Sequence, residues 1–168
     1  MDSETGTGYV VTITQGPVFL PDLILTDVAG PSQAGPGASE MFYATMTNQG
    51  DGSTLISPNV GFYLSQDAIT TTDGTDIFLG FSGGGTLIPG QTGSSHQRLT
   101  IPATVAPGTY FLGGIADPNQ RFNEHDEGNN TYAVNTIDIG NAPPNATTDN
   151  PTGVSGSQAI LNRAEEHT

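Results

Sequence analysis

Carboxylates are the chemically active residue type that this chain gathers into short stretches. Residues 65–76 read SQDAITTTDGTD and carry Asp67, Asp73 and Asp76. Calcium takes roughly six to eight oxygen ligands, several of them carboxylate. These three aspartates are the candidate metal ligands, and calcium is the candidate cofactor. The spacing is not that of an EF-hand loop, and no glutamate closes it. The competing reading is that they cap turns, because Asp side chains accept nearby backbone N–H groups. A second acidic stretch, residues 117–127, carries Asp117, Glu124, Asp126 and Glu127 and admits the same two readings.

Other chemistries find little to stand on. Gly80-Phe81-Ser82-Gly83-Gly84 matches Gly-x-Ser-x-Gly in letters only, because no helical pattern follows to make a nucleophile elbow. Ser94 and Ser95 precede His96, but consecutive residues of a strand face opposite sides of the sheet. His96, His125 and His167 lack the His-Glu-x-x-His spacing of a zinc site. Residues 80–85 (GFSGGG) are followed by no Lys-Ser/Thr and no helical pattern, so they read as a loop and not as a phosphate cradle. The paired carboxylates of a glycosidase come from distant positions and leave no local pattern. A chain without tryptophan is a poor sugar platform. Tyr43, Tyr63 and Tyr110 could stack on a sugar or pack against neighbouring strands. No catalytic residue is assigned, and the chain reads as a non-enzyme.

Charge narrows the partners. Arg98, Arg121 and Arg163 face 17 acidic residues with no lysine, for a formal charge of -14. Phosphate backbones are bound by clustered Lys and Arg, so nucleic acid is a poor partner. Anionic membrane surfaces are disfavoured on the same ground. No apolar run approaches the roughly 20 residues of a membrane span, so no membrane insertion is expected. Cysteine is absent, which removes thiolate metal sites and disulfides. Residues 1–8 are polar and acidic, unlike a signal peptide, so an exported protein would be represented here by a mature or excised stretch.

The elements that must hold these loops are short and alternating. Strands are expected at residues 22–28, 40–48, 60–65, 77–81, 96–101, 110–115 and 132–139. Phe42, Ala44 and Met46 fall on one face of the second, and Val60, Phe62 and Leu64 on one face of the third. Gly, Pro, Asn and Asp punctuate the intervals, as at Gln49-Gly50-Asp51-Gly52, Asp73-Gly74 and Pro107-Gly108. About seven short strands at such spacing form an all-β sandwich closed by Greek-key connections.

Several of these segments resemble one family. Pro21-Asp22-Leu23 opens the first strand, Thr47-Asn48-Gln49-Gly50 ends the second, and Tyr63-Leu64-Ser65 ends the third. Residues 76–80 (DIFLG) and Pro107-Gly108-Thr109-Tyr110 follow in order, and residues 124–130 (EHDEGNN) close the series. Together they resemble the CARDB domain, the cell-adhesion-related domain of bacteria, over residues 21–139. The resemblance implies an immunoglobulin-like β-sandwich, commonly repeated in tandem in surface or secreted proteins, with no enzymatic activity and no fixed ligand. It implies an extracellular, structural or adhesive module: a spacer repeat or filament subunit contacting neighbouring repeats or subunits. The alternative is a calcium- or carbohydrate-binding accessory module of a secreted enzyme. Physically, Asn48 can leave its strand with its side chain on nearby backbone, and Asn129, Asn130 and Glu127 can satisfy loop groups that the sheet cannot. The closing signature therefore reads as a corner that holds the fold.

Three regions follow: a strand and linker at 1–20, the sandwich at 21–140, and a Pro/Asn/Thr-rich linker and polar tail at 141–168, with one helical pattern at 157–166. Residues 9–14 (YVVTIT) form an extra N-terminal strand. Glu4, Tyr9 and Val11 recur at the spacing of Glu127, Tyr132 and Val134. The strand could fold back on its own sheet, end a preceding repeat, or exchange onto a neighbour's sheet edge in self-association. For the core, Phe42, Met46, Val60, Phe62, Leu64, Tyr110 and Ile115 are the expected buried positions. Phe62→Ala is expected to cost ~3–5 kcal/mol of unfolding free energy in a urea titration, as truncation of a buried Phe does.

Overall fold

Apolar alternation and turn residues give eight strands in the computed structural model, which describes residues 16–140. They are β1 (Leu23–Ala29), β2 (Gln33–Ala34), β3 (Ser39–Asn48), β4 (Asn59–Ser65), β5 (Ile77–Gly83), β6 (Thr92–Thr100), β7 (Gly108–Ala116) and β8 (Thr131–Ile139). One sheet has the order β1-β3-β6 and the other β2-β8-β7-β4-β5. The pairings are antiparallel except β2 with β8, which is parallel. The chain leaves the first sheet after β1 and joins the edge of the second through β2. The result is an all-β, immunoglobulin-like sandwich. The N-terminal strand at 9–14 and the linker and helical pattern beyond 140 lie outside the described residues.

The core lies between the sheets. Phe42, Val60, Phe62, Ile101, Ile137 and Ile139 are fully buried there, and the rings of Phe42 and Phe62 lie 6.0 Å apart. All seven residues expected to be buried are buried. Ile115 is buried outside this cluster, alternating with the core-facing Gly114 and Ala116 on β7. Its face of the second sheet is the one that the β4–β5 loop covers.

Irregularities in the ladder decide which side chains reach the core. A bulge between Leu25 and Asp27 shifts the phase of β1, so Leu25 and Val28 are both buried despite their odd separation. A second shift, opposite Phe111 and Gly113, re-phases β8 and leaves Val134 exposed while Ile137 and Ile139 face inward. β2 has only two residues, too short for any periodicity to show. β6 starts at Thr92 and not at His96, because Gly93, Ser94 and Ser95 carry no apolar signal.

Asn48 closes one end of the sandwich. Its Oδ1 accepts the N–H groups of Asp22 and Gly50, each at 3.1 Å. Its Nδ2 donates to the carbonyls of Gly52 at 2.7 Å and Leu87 at 3.1 Å. Gly50 must be a glycine: a Cβ there would collide with the Leu20 carbonyl oxygen. Removing the amide strands three buried or half-buried backbone groups, the N–H groups of Asp22 and Gly50 and the Gly52 carbonyl, while the Leu87 carbonyl keeps the Thr54 N–H; each one left unsatisfied costs ~1–3 kcal/mol. Asn48→Ala is therefore expected to lose more than ~3 kcal/mol, whereas the exposed Thr26→Ala stays within ~0.5 kcal/mol, both read by chemical denaturation.

Candidate functional site

The two acidic stretches become the β4–β5 loop and the β7–β8 loop, and each spends most of its carboxylates on its own backbone. In the first, Asp67 Oδ1 accepts the N–H of Ile69 at 2.9 Å. Asp73 Oδ1 accepts three donors: the Thr75 hydroxyl at 2.7 Å, the Thr75 N–H at 2.9 Å and the Thr71 hydroxyl at 2.7 Å. Those donors, led by the Thr75 hydroxyl, pull the Asp73 carboxyl down to about 2. Asp76 Oδ2 accepts the Thr71 N–H at 2.7 Å. Asp67 thus caps one turn, and Asp73 and Asp76 cap another. Among the described residues no three His, Cys, Asp or Glu side chains converge to hold a metal ion, so Asp67, Asp73 and Asp76 are not brought together as one ligand set.

The second loop does more than cap itself. Asp117 ends β7 with φ +41°, and its Oδ2 accepts the Phe122 N–H at 2.8 Å. Glu124 reaches across the molecule: its Oε2 accepts the Leu23 N–H, and its Oε1 accepts Asn130 Nδ2 at 2.9 Å. Glu127 Oε1 accepts the Glu124 N–H at 2.9 Å, and Asn129 Nδ2 donates to Asp22 Oδ1 at 2.8 Å. The His125 N–H donates to the Pro21 carbonyl, and its Nε2 lies 2.8 Å from Asp51 Oδ1. The hydrogen bond with His125 holds the Asp51 carboxyl below its ordinary value. The signature at 124–130 therefore fastens the β7–β8 loop to the start of β1, as a fold-holding corner should.

Where the two loops meet, they enclose a cleft of about 400 Å³. Thr70 and Asp73 line it from one side, and Asp117, Glu127 and Asn130 from the other. Three residues that line it, Thr70, Asp117 and Asn130, each carry one buried oxygen without a protein hydrogen-bond partner: Oγ1, Oδ1 and Oδ1 respectively. Thr70 packs onto Gly113 with its Oγ1 foremost, where it would collide with a Cβ, so only glycine admits the loop at this distance. Sequence reasoning named Asp117 and Glu127 and read Asn130 as a corner. It missed Thr70, which carries no charge and follows no motif. It also took the two loops as separate sites, and only the pairing of β4 with β7 sets them side by side.

Elsewhere the candidate chemistry is occupied. Ser95 is buried with its hydroxyl 2.8 Å from that of Ser82, and among the described residues no serine is hydrogen-bonded to a histidine. Tyr63 and Tyr110 are buried, the latter donating to the Ala106 carbonyl at 3.0 Å, while Tyr43 is exposed beside His96. Phe78 and Phe81 stand partly exposed next to Tyr63, with ring centroids 5.3 Å (Tyr63–Phe78) and 4.7 Å (Phe78–Phe81) apart.

Two sheets of three and five strands, with β1 and β2 divided between them, define an immunoglobulin-like sandwich module. The chain belongs to the CARDB family, whose model matches residues 20–134. Its fold is similar to the CARDB domain of the PF1109 protein of Pyrococcus furiosus, solved in complex with di-metal ions. That similarity has 17% identity and a TM-score of 0.51, over 74% of this chain and 97% of that one. It is also similar to a domain from Methanosarcina acetivorans assigned provisionally to a cell surface protein. There the identity is 23% and the TM-score 0.50, over 71% of this chain and 92% of that one. At these identities the likeness is one of fold. No curated protein matches the chain.

Glu124 gives the corner a pH dependence. Burial pushes its carboxyl up from 4.5 to about 7; hydrogen bonds from Leu23 and Asn130 oppose the rise, and the nearby charges of Glu127 and Asp117 add to it. A carboxyl with a raised folded-state pKa binds its proton more tightly when folded. Its contribution to stability is present below about 4.5 and is lost as pH rises through about 7. In metal-free buffer, the urea midpoint of the wild type is expected to fall through this group between pH 5 and pH 8. Glu124→Gln should flatten that fall, and parallel slopes would show that the carboxyl does not titrate there.

Proposed function

We propose that this CARDB chain is a non-catalytic structural and adhesive module of an extracellular surface or secreted protein, contacting neighbouring repeats or subunits. The observation that carries the reading is the use made of the polar residues of the closing signature. Glu124, His125, Glu127, Asn129 and Asn130 all hydrogen-bond the chain's own backbone or side chains. Residues that might have been presented to a substrate instead tie a loop to β1. A strongly negative chain stays soluble and repels nucleic acid and anionic membranes, which suits an exposed module. Family membership and the likeness to a domain assigned provisionally to a cell surface protein support the same reading.

The test is accessibility on intact cells of the source organism. An antibody raised against residues 16–140 is expected to label unbroken cells or the culture medium, and external protease is expected to remove the cell-bound signal. Labelling that appears only after lysis would overturn the extracellular assignment. Turnover of a glycoside or ester by the purified chain, abolished by a single substitution, would overturn the non-catalytic one.

A further inference from the structure

Exposed apolar side chains gather at one end of the sandwich. Val18 and Phe19 lead towards β1, Leu55 and Ile56 lie between β3 and β4, and Ile88 lies between β5 and β6. Backbone hydrogen bonds set these three stretches side by side. The Gly52 N–H donates to the Leu20 carbonyl at 2.9 Å, and the Thr54 N–H to the Leu87 carbonyl at 3.0 Å. Apolar groups clustered on a surface mark a place where something docks. Leu55 sharpens the point, since it is 84% exposed and its backbone is left-handed, with φ +55°. A leucine is strained in that region, and strain of this kind concentrates where function uses it. An Asn or Gly would hold the same turn with less strain and without an apolar side chain.

Charge and connectivity choose the occupant. At the opposite end of the sandwich Ile101 and Val105 are buried, and residues 30–38 hold no Val, Leu, Ile, Phe or Tyr. A second copy stacked end to end would bring no apolar surface, and a formal charge of -14 on each copy opposes any approach. Residues 9–14 (YVVTIT), which lie outside the described residues, carry no charge and are joined to Val18 by Gln15, Gly16 and Pro17 alone. Gly-Pro is a turn-forming pair that lets a chain double back. A segment on so short a tether competes with a free partner at about millimolar effective concentration. An extended stretch of this sequence puts Tyr9, Val11 and Ile13 on one side and Val10, Thr12 and Thr14 on the other. Six extended residues span roughly 20 Å, enough to cross the ends of two sheets packed about 10 Å apart.

We propose that residues 9–14 dock back on this end, laying Tyr9, Val11 and Ile13 over the apolar surface of Phe19, Leu55, Ile56 and Ile88. The chain thereby supplies its own cap. The contact is made by side chains at the end of the sandwich and adds no strand to a sheet edge. It is independent of the proposed extracellular location, since it concerns the purified chain only.

The experiment is a double-mutant cycle on the full 168-residue chain, read by thermal unfolding, with the mass of each sample measured by light scattering. Val11→Asp and Leu55→Asn are each expected to lower the melting temperature by about 3–8 °C. The double variant should fall little further than either single one, because each alone breaks the same contact. Leu55→Asn is the sharper arm. Asn tolerates the positive φ, so on an uncovered surface the change would relieve strain and leave the melting temperature unchanged or higher. Thr12→Asp, on the other side of the stretch, should melt within about 1 °C of wild type, and all four proteins should be monomeric. The proposal is overturned if Leu55→Asn melts at or above wild type, if the two shifts simply add, or if Thr12→Asp falls as far as Val11→Asp. A Val11→Asp chain that melts like wild type would leave the end to a separate partner and overturns it too. A wild-type dimer that Val11→Asp dissociates would put a second copy's segment on this end and overturns the self-capping.

Discussion

A primary amide can donate twice and accept twice, and burial is tolerable only if that capacity is met by groups already in place. Asn48 meets it with four backbone groups from three separate stretches of chain: Asp22, Gly50 and Gly52, and Leu87. The Asp22 and Gly50 N–H groups have no ladder partner at that position, because β1 begins at Leu23 and β3 ends at Asn48 itself. The side chain takes over where the sheet stops. The register of β1 against β3 starts from this point, since Leu23 pairs with Asn48.

From Asn48 the polar contacts run to the opposite sheet. Asp22, whose N–H Asn48 holds, accepts Gln49 Nε2 on one carboxylate oxygen and Asn129 Nδ2 on the other. The next residue, Leu23, gives its N–H to Glu124. The β7–β8 loop thereby becomes rigid on its inner side, where it grips β1. Its outer side, carrying Asp117 and Asn130, is held at a fixed distance from the β4–β5 loop.

Much of this was legible in the sequence, and the exceptions have physical causes. The strands showed because alternation is local: Phe42, Ala44 and Met46 state their face within five residues. Asn48 and the 124–130 signature showed because Asn, Asp and Gly at strand ends announce backbone that needs side-chain partners. β2 did not show, because two residues carry no period. Val134 is exposed although Ile137 and Ile139 are buried, because a ladder irregularity changes phase without changing composition. Glu124 stood in the sequence as a calcium ligand or a turn cap, and its reach to Leu23 spans 101 positions. Spacing could assign the three loop aspartates to calcium or to turns, and the structure finds each one capping a turn. The junction of the two acidic loops follows from the pairing of β4 with β7, which no local pattern encodes.

The same residues serve the corner and the cleft, so the two cannot be independent. Asn130, which lines the cleft, donates Nδ2 to Glu124 Oε1, and Asp117 beside it accepts the Phe122 N–H at Oδ2. In each case the group that fixes the loop also shapes the cleft. The corner brings the charges of Asp117 and Glu127 near Glu124, and their repulsion adds to the burial that pushes its carboxyl up to about 7. The attachment of β1 through the Leu23 N–H therefore rests on a carboxyl whose charge the rest of the corner opposes.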